Sequence, residues 1–145
     1  MNWLKNVCKL ILVVVIVSSS LWYQKAVIVV APTLTLDLFR NKNITNDDIP
    51  KILELVAKQE NIDLKKFKKL AQCESTTRHY DEGKVLTGIV NPDDKGVLQI
   101  NEPTWKETAE KLKLDIYDPV ENCLLAAWII KNDSRSWDNW VCKTN

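Results

Sequence analysis

Glycine is scarce. Three occur in 145 residues, at Gly83, Gly88 and Gly96, too few for a turn-rich all-β fold. Histidine occurs once, at His79. It has no matching ligand set, so no metal is expected and His79 reads as structural or exposed. No charge of one sign dominates, since the formal net charge is +1. Setting aside Lys5, Lys9 and Lys25 near the N-terminus, 17 basic residues face 19 acidic ones, a net of about −2. That excludes the basic field of a nucleic-acid binder. Lys65, Lys66, Lys68 and Lys69 then read as a solvated helix face. There is no internal repeat and no low-complexity segment.

An apolar content of 46% with 27% charged residues describes an ordinary globular protein, long enough for one domain plus an appendage. The appendage is residues 1–31. "MNWLKNVCK" is short and basic, Leu10–Val17 is uniformly apolar, and Ser18–Ser20 are small. That is the layout of a secretory signal peptide. The alternative is an uncleaved membrane anchor running on through Leu21, Trp22 and Tyr23, which suit a membrane interface. Lys25 interrupts a longer span. Either reading exports the rest of the chain, with membrane contact only if the segment is retained. No lipobox-like small-residue–cysteine pair follows the apolar core. Outside the appendage lie Cys73, Cys123 and Cys142, an odd number in a compartment where a disulfide persists.

Residues 32–43 read as a linker and 44–145 as the folded domain. "TNDDIPKILELVAKQEN" has capping residues at Thr45–Asp48 and helical spacing of Ile49, Ile52, Leu53, Val56 and Ala57. "IDLKKFKKLAQCES" predicts a second helix with Asp63 as N-cap, ended by Ser75–Thr77. The next stretch has the three glycines, Pro92 and short β-branched runs, which predict a small hairpin region with turns at Asp81–Gly83 and Asn91–Gly96. Two further helices start at Pro103 and at Asp118–Pro119. The fold class is α+β, mainly α, with one small sheet.

Glu74 stands out. It lies seven residues after Phe67, four after Leu70 and three after Ala71, on or beside the apolar stripe of its helix. A carboxyl there is desolvated and sits at the negative end of the helix dipole, and both effects raise its pKa. Such a group serves as a general acid near neutral pH. The competing reading is a rim glutamate paired with a lysine or Arg78. "DDKG" likewise has two readings. Asp94 is a turn residue for backbone reasons, or it is a second carboxylate.

"CES", some twenty residues of turn-rich chain, "GVLQIN" and then "ENCLLAAWIIKN" together resemble the lytic transglycosylase/lysozyme superfamily over Ile49–Cys142. The resemblance implies a lysozyme-like domain that cleaves the β-1,4 bond between N-acetylmuramic acid and N-acetylglucosamine in peptidoglycan glycan strands. It implies Glu74 as general acid and base, a 1,6-anhydromuramyl product, and no cofactor or metal. A hydrolase would add Asp94, since "DKGVLQIN" also resembles the motif of animal-type lysozymes, whose Asp is a second catalytic carboxylate. A catalytically idle, glycan-binding module is the remaining class. Gln99 and Asn101 are expected to line the cleft, with capping of the next helix as the alternative for Asn101. Ser75 is expected to hold Glu74 or touch substrate. Gly96 either lets a sugar approach the backbone or completes a turn. Tyr80 could flank the cleft. Trp105, Trp128, Trp137 and Trp140 are either sugar-stacking or core residues, and Trp128 stands where many members have tyrosine. Similar exported members also imply a Cys73–Cys142 disulfide with Cys123 a buried thiol, although Cys123–Cys142 pairing stays open. A monomer is expected.

Overall fold

The computed structural model describes residues 36–37, 39 and 42–142. The targeting segment 1–31, whether signal or anchor, lies outside them. Four helices carry the fold: α1 (Ile49–Glu60), α2 (Leu64–Ser75), α3 (Glu102–Leu112) and α4 (Pro119–Asn132). Short 3-10 turns at Asn46–Asp48 and Ser136–Asn139 flank them.

The helix starts follow the sequence signals. Asp63 caps α2 by accepting the Lys66 N–H at 3.0 Å. Asp118 accepts the N–H groups of Val120 and Glu121 at 2.9 Å each, with Pro119 in the first turn of α4. Asn101 caps α3 through the Thr104 N–H at 3.2 Å. α2 ends at Ser75, and Thr76 and Thr77 follow with φ of 53° and 61°, a left-handed pair that is unusual for β-branched residues.

α1 packs against α4 and α2. Ile52, Leu53 and Val56 meet Phe67 and Leu70 of α2 and Leu125 and Ile129 of α4 in one buried cluster. Cys123 is a free, fully buried thiol in the same cluster, and desolvation pushes its pKa far above the usual thiol range. Leu36 is buried and Phe39 packs against the core, so the core draws on residues upstream of Ile44.

The β-region is not one sheet. β1 (Tyr80–Asp81) pairs with β2 (Lys84–Val85), and β3 (Asp94–Lys95) pairs with β4 (Ile100–Asn101), as two separate antiparallel ribbons. Only an isolated Thr87–Lys95 bridge joins them. Between β3 and β4, Gly96, Val97 and Leu98 are buried without belonging to a helix or strand. Their backbone groups therefore need other partners, and side chains supply them. The Val97 N–H donates to His79 Nδ1 at 3.2 Å, and Ser75 Oγ donates to the Val97 carbonyl at 2.8 Å. The Leu98 N–H donates to Asn122 Oδ1 at 3.1 Å, and Trp140 Nε1 donates to the Leu98 carbonyl at 2.7 Å. Asn122 Nδ2 also reaches the carbonyls of Lys95 and Ile116.

His79 is structural and fully buried. Its Nδ1 accepts from Val97, so Nε2 carries the proton and donates to the Tyr117 carbonyl at 2.9 Å. Burial holds its pKa below the ordinary 6.5. Gly96 has a corresponding reason. A Cβ there would lie 2.5 Å from His79 Cε1 and 2.8 Å from Asn122 Nδ2, at a φ of +68°. Glycine makes room for these two side chains rather than for a sugar.

Two expectations follow. Asn122→Ala strands two buried backbone groups and one half-buried one and should cost at least about 2 kcal/mol in urea denaturation. Protonating His79 breaks its bond from Val97, and its folded-state pKa lies below the unfolded value. The unfolded chain therefore takes up the proton first as pH falls. The His79 contribution is complete above about 6.5 and declines below it until the folded-state pKa is reached. NMR titration should show a neutral Nε2–H imidazole with pKa under 6.5, and Tm should fall with pH across that window.

Candidate active site

Glu74 occupies the last turn of α2, one residue before the helix ends. It lines a small open cavity of about 120 Å³. Asp94 of β3, Gln99, and Ile100 and Asn101 of β4 line it too. Trp105 of α3 and the tail residues Asn139, Trp140 and Val141 complete it. The chain ends its walk over the site at Cys142, which is disulfide-bonded to Cys73. That pairing was expected from the resemblance, and it leaves Cys123 free.

The Glu74 carboxyl is held above its ordinary 4.5. Desolvation is the largest cause, the negative charge of Asp94 adds to it, and a hydrogen bond from the Cys142 backbone N–H opposes both. Glu74 Oε1 is buried without a hydrogen-bond partner. An unpaired, desolvated carboxylate oxygen is costly when charged and tolerable when the group is protonated. Among the described residues no lysine or arginine lines the cavity, so the rim ion pair weighed from the sequence is absent. Arg78 pairs instead with Asp81 at 3.1 Å.

Asp94 closes the expected turn, its N–H donating to the Asn91 carbonyl at 3.1 Å, and opens the ribbon that follows. It lies in β3 opposite Asn101, and its Oδ1 accepts from Asn101 Nδ2 at 2.8 Å and from Asn91 Nδ2 at 3.2 Å. The cavity therefore holds two carboxyl groups in different surroundings, one short of donors and one supplied with them.

Gln99 reaches the cavity from a strained backbone, with φ of +46°, and its Nε2 donates to the Gly96 carbonyl at 2.8 Å. Asn101 does both things weighed for it: it caps α3 and lines the cavity.

Three expected contacts are displaced. Ser75 is buried and does not line the cavity; its hydroxyl lies against the carbonyls of Val97 and Ala71 and accepts the Arg78 N–H. It is a splint under the site, holding neither Glu74 nor an open surface. Tyr80 stands edge-on to His79, 4.8 Å between ring centroids, with its backbone tied to Asn46. Trp128 is half-buried against the core on α4. Neither ring is part of the cavity lining. Trp105 and Trp140 are the indoles that line it, while Trp137 packs against the core. The sequence held one signal for the tail residues: if Cys142 bonds to Cys73, the residues before it must lie beside Glu74.

The family model for the transglycosylase SLT domain matches residues 52–144. The chain belongs to that family. No curated protein and no solved structure gives a significant match. Family members are glycosidic-bond-cleaving transglycosylases of peptidoglycan, which lies outside the cytoplasm, in agreement with an exported domain. Among the described residues no helix is long and apolar enough to cross a membrane, and no group of side chains could hold a metal ion.

Glu74→Gln keeps an oxygen that can accept the Cys142 N–H and removes the charge. The raised folded-state pKa means that wild-type stability declines as pH rises from 4.5 through that pKa. The variant should therefore melt higher than wild type at pH 7, and the difference should vanish near pH 4. Scanning calorimetry at both values checks this.

Proposed function

We propose that the protein is an exported peptidoglycan lytic transglycosylase in which Glu74 is general acid and then general base. One observation carries the reading. Glu74 is the donor-poor carboxyl of the cavity, its pKa raised by burial and by Asp94. It would protonate the glycosidic oxygen between N-acetylmuramic acid and N-acetylglucosamine as the bond from that oxygen to the anomeric carbon breaks. The resulting carboxylate would take the proton from the muramyl 6-hydroxyl as its oxygen bonds to the anomeric carbon. Glu74 is regenerated and a 1,6-anhydro end is left, with no water consumed. Gln99 and Asn101 offer amides for acetamido or hydroxyl groups, and Trp105 offers an apolar surface for a sugar face.

A second reading has specific support. Asp94 lines the same cavity and acts on Glu74, so a hydrolase using both carboxyls would release reducing ends. In the transglycosylase reading, Asp94 supplies only the field that raises the Glu74 pKa and steadies positive charge at the anomeric carbon.

Mass spectrometry of muropeptides released from purified peptidoglycan separates these. Transglycosylation gives fragments one water lighter than hydrolysis does. Glu74→Gln should lose about 100-fold or more of the release rate, and Asp94→Asn should lose less. Ordinary reducing ends would favour the hydrolase. Binding without cleavage by wild type would favour a glycan-binding module.

A further inference from the structure

The last described residues do more than close a disulfide. Asn139, Trp140 and Val141 form one wall of the Glu74 cavity. Trp140 anchors this wall: it is 7% exposed, and its Nε1–H donates to the Leu98 carbonyl. Asn139 Nδ2 bonds to Asp133 Oδ1 and the Ser136 carbonyl, which fixes the turn that delivers it. Packing lapses at Val141, which is 93% exposed, and resumes at the half-buried Cys142. What returns the chain to α2 is the bond from Cys142 to Cys73, the residue immediately before Glu74. The backbone N–H of that same Cys142 acts on the Glu74 carboxyl and lowers its pKa.

We propose that Asn139–Cys142 is a positioning strap for Glu74, seated by the Cys73–Cys142 disulfide so that it walls the acid from water. The inference rests on the reading of Glu74 as the acid. The strap has two opposed effects. Its wall contributes to the desolvation that raises the Glu74 pKa, and its N–H lowers it. Desolvation by the whole surroundings is the largest cause of the raised pKa; on this proposal the wall's share of it exceeds the effect of the N–H, so freeing the strap should bring Glu74 back toward an ordinary glutamate. Asp94 is the charged group acting from across the cavity, and it stays where its own amide donors hold it. Asp138, on the strap's own turn, is exposed.

The test is a 13C NMR titration of the Glu74 carboxyl, assigned by its absence in Glu74→Gln. It is run on the whole protein as wild type, as Cys73→Ser/Cys142→Ser, and as Val141→Gly. The glycine variant keeps the disulfide and removes an exposed side chain, but it loosens the strap backbone. The double variant should titrate lower than wild type, and Val141→Gly lower by a smaller amount. The basic limb of the muropeptide-release profile should move down with them. The His79 resonances report whether each variant is folded. If the double variant is unfolded, Val141→Gly decides. An unchanged or raised Glu74 titration in a folded variant overturns the proposal and leaves the disulfide a simple staple. If the titration shifts as expected but wild type releases no muropeptides, the strap stands and the enzymatic reading fails.

Discussion

The structure depends on satisfying the backbone of a buried segment that belongs to no regular element. Val97 and Leu98 are fully buried, and neither can hand its N–H and carbonyl to water. A stranded group of this kind costs about 1–3 kcal/mol, so four unpaired groups would rival the stability of a small domain. Four side chains prevent that, one from each surrounding piece of chain: Ser75 from the end of α2, His79 from the following loop, Asn122 from α4 and Trp140 from the tail. The arrangement also sets the geometry of the cavity. Ser75 is next to Glu74, and Val97–Leu98 lead directly into Gln99. Trp140 is itself part of the wall. The bonds that keep the segment dry are therefore the bonds that hold the cavity's lining in register.

That rigidity explains how an unfavourable carboxyl is tolerated. Glu74 sits at the negative end of α2, short of donors, with Asp94 adding a like charge. Its neighbourhood also carries left-handed threonines at 76 and 77 and a left-handed Gln99. Strain and desolvation of this kind persist only where surrounding structure overdetermines the local conformation. Here the surroundings are the four-way splint on one side and a covalent bond on the other. Glu74 and Asp94 acquire different characters because Asn91 and Asn101 give their amides to Asp94 and none to Glu74.

Local signals made the helices legible. Asp63, Asp118, Pro103 and Pro119 act through groups within four residues of themselves, so their roles survive folding unchanged. Glu74 was legible for a related reason: helical spacing alone puts it beside Phe67, Leu70 and Ala71. What local pattern could not show depended on distant chain. Gly96 completes a turn, as one of its two readings had it, but the atoms admitted by its missing Cβ belong to His79 and Asn122, 17 and 26 residues away. The Tyr80 backbone is tied to Asn46 and Trp128 packs against the core, and neither placement follows from local spacing. Asp94 closes the turn announced by "NPDDKG" and also opens β3, since turn composition cannot say where the strand after the turn begins. Its partner Asn101 becomes visible only through the β3–β4 register.

The disulfide completes this logic. Apolar burial holds Trp140, while Val141 contributes almost nothing to the core and the half-buried Cys142 packs against it only at its edge. A larger domain could close the cavity with another packed helix. This one closes it with a few residues whose contacts would not outweigh the backbone entropy of ordering them, about 1–2 kcal/mol each. The Cys73–Cys142 bond spans 69 residues, and closing a loop of that size is worth roughly 4 kcal/mol in the chain-entropy model. That is enough to order a short strap. A disulfide elsewhere in the domain would stabilise the fold comparably, but only one rooted at the residue beside Glu74 also fixes what the carboxyl faces. The position of the bond, more than its strength, connects it to the chemistry.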